Sequence, residues 1–477
     1  MRVAMLSPLP PARTGVAHYA SMLLPALRER LEIVESGADR YIYQLGNNPH
    51  HEFVYEAAMM TPGVIVLHDV VLHHLIVEMT LARGDVDGYI DSLRASHGEA
   101  GAAWARGRAA GLHSEMGNFL LPASVEIARR STAVIVHNEW AANVLRSFGV
   151  ATPIHVVPHP YLPEAVVHDR DAVRRRLGIA PQARVVGLFG FLTSAKRGEI
   201  VIEAFRIARK RDPNLVLLIV GEAAPDIDIS KIAGPGVITT GYVDDREFGA
   251  YYAAADRLVN LRYPSAGETS GTLIRAFGAG KPVAVSDYAQ FAEYPDTCVV
   301  KIPFGEGEVE TLASFFTREL DERSIAAAQR DWLAKNATIE QTVAGYVSAV
   351  ILSREDAPAA QDDRSAGLPL FPSIELVGIA REDGRLRVTV RNTGETTLRA
   401  REYGQPAYRI IAKQFVSGVE IENRWIGLDG DLRAGEAGTI AIPAAENADR
   451  LELHHALQSI PVAGSTPSIV VELTGVR

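Results

Sequence analysis

The sequence is poor in cysteine, in long apolar runs and in clustered positive charge. Its 477 residues include a single cysteine, Cys298, which excludes a disulfide framework and fits a reducing compartment. No run of about 18 apolar residues occurs, and the apolar start of the chain is too short for a secretory signal. We therefore expect a cytoplasmic protein without a transmembrane segment. The net charge of −10, without long basic runs, argues against nucleic acid as a partner.

The composition supplies ample material for buried cores, with 47% hydrophobic and 22% charged residues. The length corresponds to about three domains of ordinary size. Apolar strands alternate with amphipathic helices over most of the chain, which is typical of parallel sheets covered on both faces. Near the C-terminus the period changes to two, as in Leu386, Val388 and Val390, which indicates antiparallel strands.

These patterns predict an α/β fold with two similar domains and a C-terminal all-β sandwich. The predicted boundaries are 1–165 for the N-terminal domain, about 84–124 for a helical insertion within it, 166–352 for the second domain, 353–370 for a linker and 371–477 for the sandwich. The last helical pattern, Ile339–Leu352, is expected to cross back to the first domain. Two halves of similar layout imply a deep cleft between them.

One stretch, Tyr263–Asp287, has the pattern of a loop, a helix and a strand that follow a buried strand. Glu268 lies in the loop, and Ser270, Gly271 and Thr272 lie where the helix begins. Free backbone N–H groups at a helix start bind anions, and the missing side chain of Gly271 lets a phosphate approach. The alternative is an ordinary strand-to-helix turn with an ordinary cap.

Over roughly residues 1–352 the chain resembles the retaining, GT-B-fold glycosyltransferases of the family 4 type. The motifs that carry the resemblance are Arg13–Val16, Val66–Asp69 with His68, Gly190–Gly198, Gly241–Asp245 and the stretch around Glu268 that ends at Gly280 and Pro282. The resemblance implies a GT-B fold of two Rossmann-like domains facing a cleft. It does not extend to the sandwich.

The resemblance also implies roles for individual residues. Glu268 and His68 are the expected catalytic residues, beside the donor sugar. The expected ligands of the donor diphosphate are Lys196, Arg197, Ser270, Gly271, Thr272 and Gly15. Further donor-site candidates are Asp69, Gly190 and Phe191. No metal ligands are expected, because N–H groups with Lys and Arg make a cation unnecessary.

Two positions depart from the family pattern. Strict alignment on Gly280 and Pro282 puts Gly267 and Arg275 at the positions of the two signature glutamates. A shift of one residue brings Glu268 into the first position and leaves the second without a glutamate. Phe191 stands where the family has a diphosphate-binding arginine.

Acceptor-site candidates are Tyr89 and Trp104 in the insertion and His137 at a strand end. For the residues of the insertion, the alternative is that their side chains pack it onto the domain.

The function implied by the resemblance is retaining transfer of a sugar from a nucleotide-diphosphate sugar to a glycan, a lipid-linked acceptor or another hydroxyl. Two alternatives remain: a non-catalytic binder of glycans or nucleotide sugars, and a sugar-nucleotide epimerase. Peripheral contact with a membrane stays open. The sandwich is expected to dock an acceptor glycan, a partner or a second protomer.

Overall fold

The computed structural model describes residues 1–12, 14–112, 116–163, 168–224, 227–353, 374–393, 398, 408–428, 432–445, 447–457, 460–461 and 469–473. Arg13, nearly all of the predicted linker and parts of the predicted sandwich lie outside these residues. Two compact units are present. The first comprises Met1–Val70, Arg130–Asn143 and Thr152–Ala359, and the second comprises Val71–Arg129, Val144–Ala151 and Ala360–Arg477.

The first unit contains two six-stranded parallel sheets, as the alternating pattern predicts. The strands of the first sheet are β1 (Arg2–Leu6), β2 (Glu32–Ile33), β3 (Arg40–Leu45), β4 (Val64–Leu67), β5 (Ala133–Val136) and β6 (Ile154–Val156), in the order β2-β1-β3-β4-β5-β6. Those of the second are β7 (Val185–Phe189), β8 (Val216–Val220), β9 (Val237–Thr239), β10 (Arg257–Asn260), β11 (Val283–Ser286) and β12 (Val300–Ile302), in the order β12-β11-β10-β7-β8-β9. The order of the second sheet is that of a Rossmann fold, so its strand order reverses between β7 and β10.

Helices cover both faces of the sheets because the strands are apolar on both sides. The helices are α1 (Gly15–Arg28), α2 (Glu52–Met60), α3 (His73–Met79), α4 (Val86–Ala109), α5 (Gly117–Leu120), α6 (Val125–Arg130), α7 (Glu139–Ser147), α8 (Arg170–Arg176), α9 (Gly198–Arg211), α10 (Ile229–Ile232), α11 (Asp245–Ala254), α12 (Gly271–Gly278), α13 (Glu308–Thr317), α14 (Glu322–Asn336) and α15 (Ile339–Ile351). In the second sheet, β7 is buried along its whole length. One core joins the sheet to α11, α12 and α14, and another joins it to α9 and α13. This is the pattern of apolar strands between two helical layers.

Helix α15 packs on the first sheet, although it follows the second in sequence. Val343 and Tyr346 belong to the same core as Val3, Ile42 and Ile135. The expectation that the last helical pattern returns to the first domain is therefore confirmed. This crossing ties the two sheets of the first unit together.

The second unit contains α4, which lies within the predicted insertion, and two antiparallel sheets near the C-terminus. The strands are β13 (Ile374–Glu382), β14 (Arg385–Asn392), β15 (Tyr408–Val416), β16 (Val419–Gly427), β17 (Ala437–Pro443), β18 (Arg450–Leu457), β19 (Ile460–Pro461) and β20 (Ile469–Glu472). One sheet has the order β13-β14-β17, and the other has the order β16-β15-β18-β19 with β20 also paired to β18. Leu386, Val388 and Val390 are buried on β14, as their alternation predicts. The predicted fold class is confirmed: two Rossmann-like sheets and a β-rich C-terminal region.

No helix among the described residues is long and apolar enough to cross a membrane.

The crossing of α15 generates a stability prediction. Tyr346 is fully buried, and its hydroxyl lies 3.0 Å from that of Tyr19 and 3.2 Å from Nε2 of Gln44. Tyr346→Ala should reduce the free energy of unfolding of the first unit by about 3–5 kcal/mol, because it leaves a cavity and breaks both polar contacts. Ile351→Ala, at a position on the same helix that is 63% exposed, is the control and should change little. Equal urea midpoints for the two variants would contradict this packing.

Candidate functional site

The loop after β10 holds Glu268 at the carboxyl end of the second sheet. Its Oε1 accepts a hydrogen bond from Arg262 Nε at 2.6 Å, and its Oε2 accepts one from the backbone N–H of Ala266 at 3.1 Å. The backbone carbonyl of Glu268 accepts a hydrogen bond of 2.7 Å from Gln290 Nε2. The loop thus follows a strand at the point where the strand order reverses, which is where open α/β sheets bind ligands.

Gly267 cannot carry a side chain in this loop. Its φ is +82°, and an added Cβ would lie 2.6 Å from Val70 and 2.9 Å from Trp140. A glutamate is therefore excluded at the position that strict alignment assigns to the first signature residue. The carboxylate enters the site one residue later, from Glu268.

The start of α12 is ordered by a small hydroxyl–amide network. Ser270 is the N-cap, and its Oγ accepts a hydrogen bond from the N–H of Leu273 at 3.3 Å. The hydroxyls of Ser270 and Thr272 both donate to Oδ1 of Asn260, each at 3.1 Å. The first N–H groups of a helix have no acceptor within the helix, so they are available to an anion.

Space is left open at this helix start. The nearest atom to a Cβ added at Gly271 would be Nε2 of His159, at 3.9 Å. A phosphate group can therefore approach the backbone at Gly271 without meeting a side chain.

The first sheet brings His68 and Asp69 to the ends of its strands. His68 Nε2 donates to Oε1 of Gln44 at 2.6 Å, and burial holds the pKa of its imidazole well below the ordinary value, so the ring is neutral. Asp69 Oδ2 accepts the backbone N–H of Asn47 at 2.8 Å. Burial, followed by the nearby charge of Glu268, raises the pKa of Asp69 to about 7. A carboxyl group that titrates near neutrality thus lies beside a carboxylate that is held in place.

One pocket of about 780 Å³, called the main pocket here, collects six of the predicted site residues. They are Gly15, His68, Asp69, Glu268, Gly271 and Thr272. These residues follow strands of both parallel sheets, so neither sheet forms the pocket alone.

Lys196 and Arg197 are not among the residues that line the main pocket. Lys196 is buried, and its Nζ donates to the carbonyl of Phe189 at 2.6 Å. Burial holds the pKa of Lys196 well below its ordinary value. Arg197 pairs through two nitrogens with Glu308, which is buried, and its guanidinium lies 5.6 Å from the ring centre of Tyr263.

Gly190 and Phe191 follow β7. Gly190 has a φ of +84°, and an added Cβ would lie 2.7 Å from Lys196 Nζ and 3.4 Å from Thr272. A side chain at position 190 would therefore collide with the lysine. Phe191 is 52% exposed and does not line the main pocket.

The acceptor-site candidates lie in two different surroundings. In the second unit Tyr89 is fully buried and its hydroxyl lies 2.6 Å from His73 Nε2, while the ring of Trp104 packs directly on Gly117. These contacts show that Tyr89 and Trp104 pack within the second unit, which is the alternative that the sequence left open. His137, in the first unit, lines a second cavity beside the main pocket.

Sequence reasoning missed two residues of the site, Arg262 and His18, and it assigned no role to a third, Arg275. Arg262 fixes Glu268 and follows a buried strand directly, which is a sequence signal that could have identified it. His18 and Arg275 line the main pocket together, and an Arg275 nitrogen lies 3.2 Å from His18 Nε2. Nothing in the sequence indicates that these two residues, from α1 and α12, are neighbours. No group of three or more metal-binding side chains occurs among the described residues.

Two Rossmann-like sheets share a pocket at their strand ends, which is where α/β sheets of this kind bind ligands. Residues 183–320 match the family model described as Glycosyl transferases group 1. This segment contains the second parallel sheet and the Glu268 loop. The resemblance to glycosyltransferases predicted from the motifs is confirmed.

Solved structures that resemble the chain include the following three proteins. WaaG, a glycosyltransferase involved in lipopolysaccharide biosynthesis, is 15% identical over 73% of this chain and 99% of its own, with a TM-score of 0.48. HepE of Anabaena, in complex with UDP and glucose, is 16% identical over 74% of this chain and 99% of its own, with a TM-score of 0.47. Sucrose-phosphate synthase of Thermosynechococcus elongatus is 16% identical over 72% of this chain and 81% of its own, with a TM-score of 0.45. Among curated proteins, none matches the sequence.

The raised pKa of Asp69 predicts a pH-dependent stability. Its ordinary value is 3.8 and its folded value is about 7, so the native state binds the proton more tightly, and stability is lost as the pH rises between these values. Asp69→Asn removes this loss. The difference in urea midpoint between Asp69→Asn and wild type should therefore increase as the pH is raised from about 4 to 7, and it should stay constant above pH 7.

Asp39→Asn provides the matched control. The backbone N–H of Arg2 and its guanidinium hold the pKa of Asp39 below the ordinary value of 3.8. The contribution of Asp39 to the free energy of unfolding is therefore constant above about pH 5, and the difference between Asp39→Asn and wild type should not change from there to pH 7. A flat difference between Asp69→Asn and wild type over the same range would contradict the assignment for Asp69.

Proposed function

We propose that this chain is a retaining glycosyltransferase that transfers a sugar from a nucleotide-diphosphate sugar to a hydroxyl acceptor. The main pocket supports the proposal, because it combines a helix start suited to phosphate with carboxyl and imidazole groups suited to a sugar. The family match of residues 183–320 agrees with this chemistry.

The diphosphate is proposed to lie against the start of α12. Backbone N–H groups at Gly271 and Thr272 point toward an anion there, and the helix dipole favours negative charge. Arg275, one turn further along α12, adds a guanidinium to the same pocket. Lys196 lies close to Gly190, because a Cβ added there would be 2.7 Å from Lys196 Nζ and 3.4 Å from Thr272. A diphosphate bound nearby would favour the charged form of Lys196.

The sugar is proposed to lie beside Glu268, His68 and Asp69. Arg262 and Gln290 hold Glu268 in one orientation, so its carboxylate is pre-organised to hold sugar hydroxyls. His68, neutral and oriented by Gln44, offers a second polar contact.

Retention follows if the acceptor attacks the same face from which the diphosphate leaves. The bond between the anomeric carbon and the phosphate oxygen breaks, and a bond from the acceptor oxygen to that carbon forms. The acceptor proton passes to the departing phosphate oxygen, and the charge on that phosphate is stabilised by the N–H groups of α12. This route needs no metal ion, and we expect chelators to leave the activity unchanged.

A second candidate function is non-catalytic binding of nucleotide sugars, and the observation that favours it is the presence of Arg275. This residue, which can only donate hydrogen bonds, lines the pocket where the family has a glutamate. A binder and a transferase differ in turnover, and a sugar-nucleotide epimerase differs in its product.

Nucleotide binding is tested by thermal shift with UDP, GDP, ADP and their sugar conjugates. At a hundredfold excess over Kd, one of them should stabilise the protein by about 2.7 kcal/mol. Gly271→Asp should abolish this stabilisation, because its carboxylate occupies the position of the phosphate while suiting the helix start. Gly234→Asp, which adds the same carboxylate into open space outside the main pocket, is the matched control and should fold normally and keep the binding. Stabilisation of Gly271→Asp equal to that of wild type would refute the proposed phosphate position.

Turnover is tested by following hydrolysis or transfer of the nucleotide sugar that stabilises the protein. Glu268→Ala should reduce kcat about 10²-fold or more with little change in nucleotide affinity, because it removes positioning of the sugar. Glu203→Ala, at an exposed position on α9, is the control. NMR of the first product formed should show the anomeric configuration of the donor. Tight nucleotide binding without turnover would favour the binder, and inverted product would refute retention.

A further inference from the structure

A second cavity, of about 410 Å³, adjoins the main pocket in the first unit. Its walls come from the end of β5 and the start of α7, the connection after β6, the short helical turn Ala289–Glu293, and the facing ends of α14 and α15. It shares His159, Thr269 and Ile274 with the main pocket. Its volume lies in the range of small-molecule sites, roughly 300–1,000 Å³.

His137 lines this cavity, and one of its ring nitrogens has no hydrogen-bond partner among the described residues. Its Nδ1 donates to the carbonyl of Val157 at 2.8 Å, so Nε2 carries the lone pair. That nitrogen is buried, and no described residue supplies it with a hydrogen bond. Burial lowers the pKa of His137 to about 4, so the ring stays neutral near pH 7. A buried acceptor without a donor costs free energy, and a ligand hydroxyl would supply the donor.

The charge of the lining favours a neutral ligand. Glu139 and Glu293 bring two carboxylates, and Lys335 brings one ammonium group. The carboxylate of Glu293 accepts the backbone N–H groups of Glu139 and Trp140, so it is fixed where α7 begins. A phosphate would therefore meet a carboxylate at the helix start that could otherwise bind it.

The remaining wall combines an aromatic surface with amide groups. Trp332 is half-buried, and its ring lies 5.3 Å from that of Tyr294. Asn336 and Gln341 lie at the rim. An apolar aromatic face with a few polar groups around it fits a flat ring that carries hydroxyls on its edge.

We propose that this cavity binds a neutral sugar unit, with Trp332 against the ring and His137 Nε2 accepting from a hydroxyl. The cavity adjoins the proposed nucleotide-sugar site and shares three lining residues with it, but the proposal concerns binding and does not depend on transfer activity. It also has a direct connection to the Glu268 loop. Asn138 Nδ2 donates to the carbonyl of Gly267 at 2.9 Å, and Gln290 Nε2 donates to that of Glu268. Both amide side chains line the cavity, so a bound sugar contacts residues that hold the catalytic loop.

The test uses saturation-transfer NMR on the full chain with methyl glucoside, methyl mannoside, methyl galactoside and N-acetylglucosamine. At least one should bind wild type, and glucose phosphate should bind this cavity less well than glucose. Asn336→Trp, at an exposed rim position, should block the cavity and weaken binding about tenfold or more. Asp331→Trp, exposed on the same helix but outside the cavity lining, is the matched control and should bind normally.

A second variant tests the acceptor atom. His137→Phe keeps a ring of similar size but removes Nε2, and it should weaken sugar binding about tenfold. The thermal shift with nucleotide should be retained in Asn336→Trp, which separates this site from the main pocket. Failure of every sugar to bind wild type, or normal binding by Asn336→Trp, would overturn the proposal.

If the sugar is also incubated with the nucleotide sugar, mass spectrometry distinguishes two sources of the ligand. A glycosylated product identifies an acceptor subsite, and an unmodified sugar that binds in the cavity identifies a separate ligand. Either outcome supports a sugar site in this cavity.

Discussion

The position of Glu268 depends on hydrogen bonds donated by residues of both parallel sheets of the first unit. Arg262 and Gln290, from the second sheet, fix its side chain and its carbonyl. Asn138, which follows β5 of the first sheet, donates to the carbonyl of the preceding residue, Gly267. Gly267 is itself packed against Val70 and Trp140. Because these contacts join the loop to the first sheet, movement of one sheet relative to the other would change the position of Glu268.

The close packing around the site also explains why glycine occupies positions 190 and 267. Gly190 and Gly267 both have positive φ, and an added Cβ at either would lie less than 3.0 Å from a neighbouring side chain. At Gly190 that neighbour is the amino group of Lys196. Gly271 differs, because the space beside it is open. Two glycines therefore allow close packing of the protein, and the third leaves room for a ligand.

Much of the fold could be predicted from the sequence, because the features responsible are local. Buried apolar runs such as β7 and the cap at Ser270 depend on a few adjacent residues. The crossing of α15 was also expected from the sequence, as the last helix of the two α/β domains. The pairing of Arg197 with Glu308 joins residues more than a hundred positions apart, and no local pattern indicates it. The sequence therefore predicted Lys196 and Arg197 as one anion site. In the structure Lys196 donates to the carbonyl of Phe189, whereas Arg197 pairs with Glu308.

The main pocket has two ends of different electrostatic character, and this difference bears on its ligand. At one end the start of α12 and the guanidinium of Arg275 favour negative charge. At the other end Glu268 is held as a hydrogen-bond acceptor, and Asp69 is close to taking up a proton. A ligand that is anionic along its whole length would be repelled by the second end, and a neutral polyol would gain nothing from the first. A nucleotide-diphosphate sugar carries its charge in the middle and its hydroxyls at one end, so it matches both.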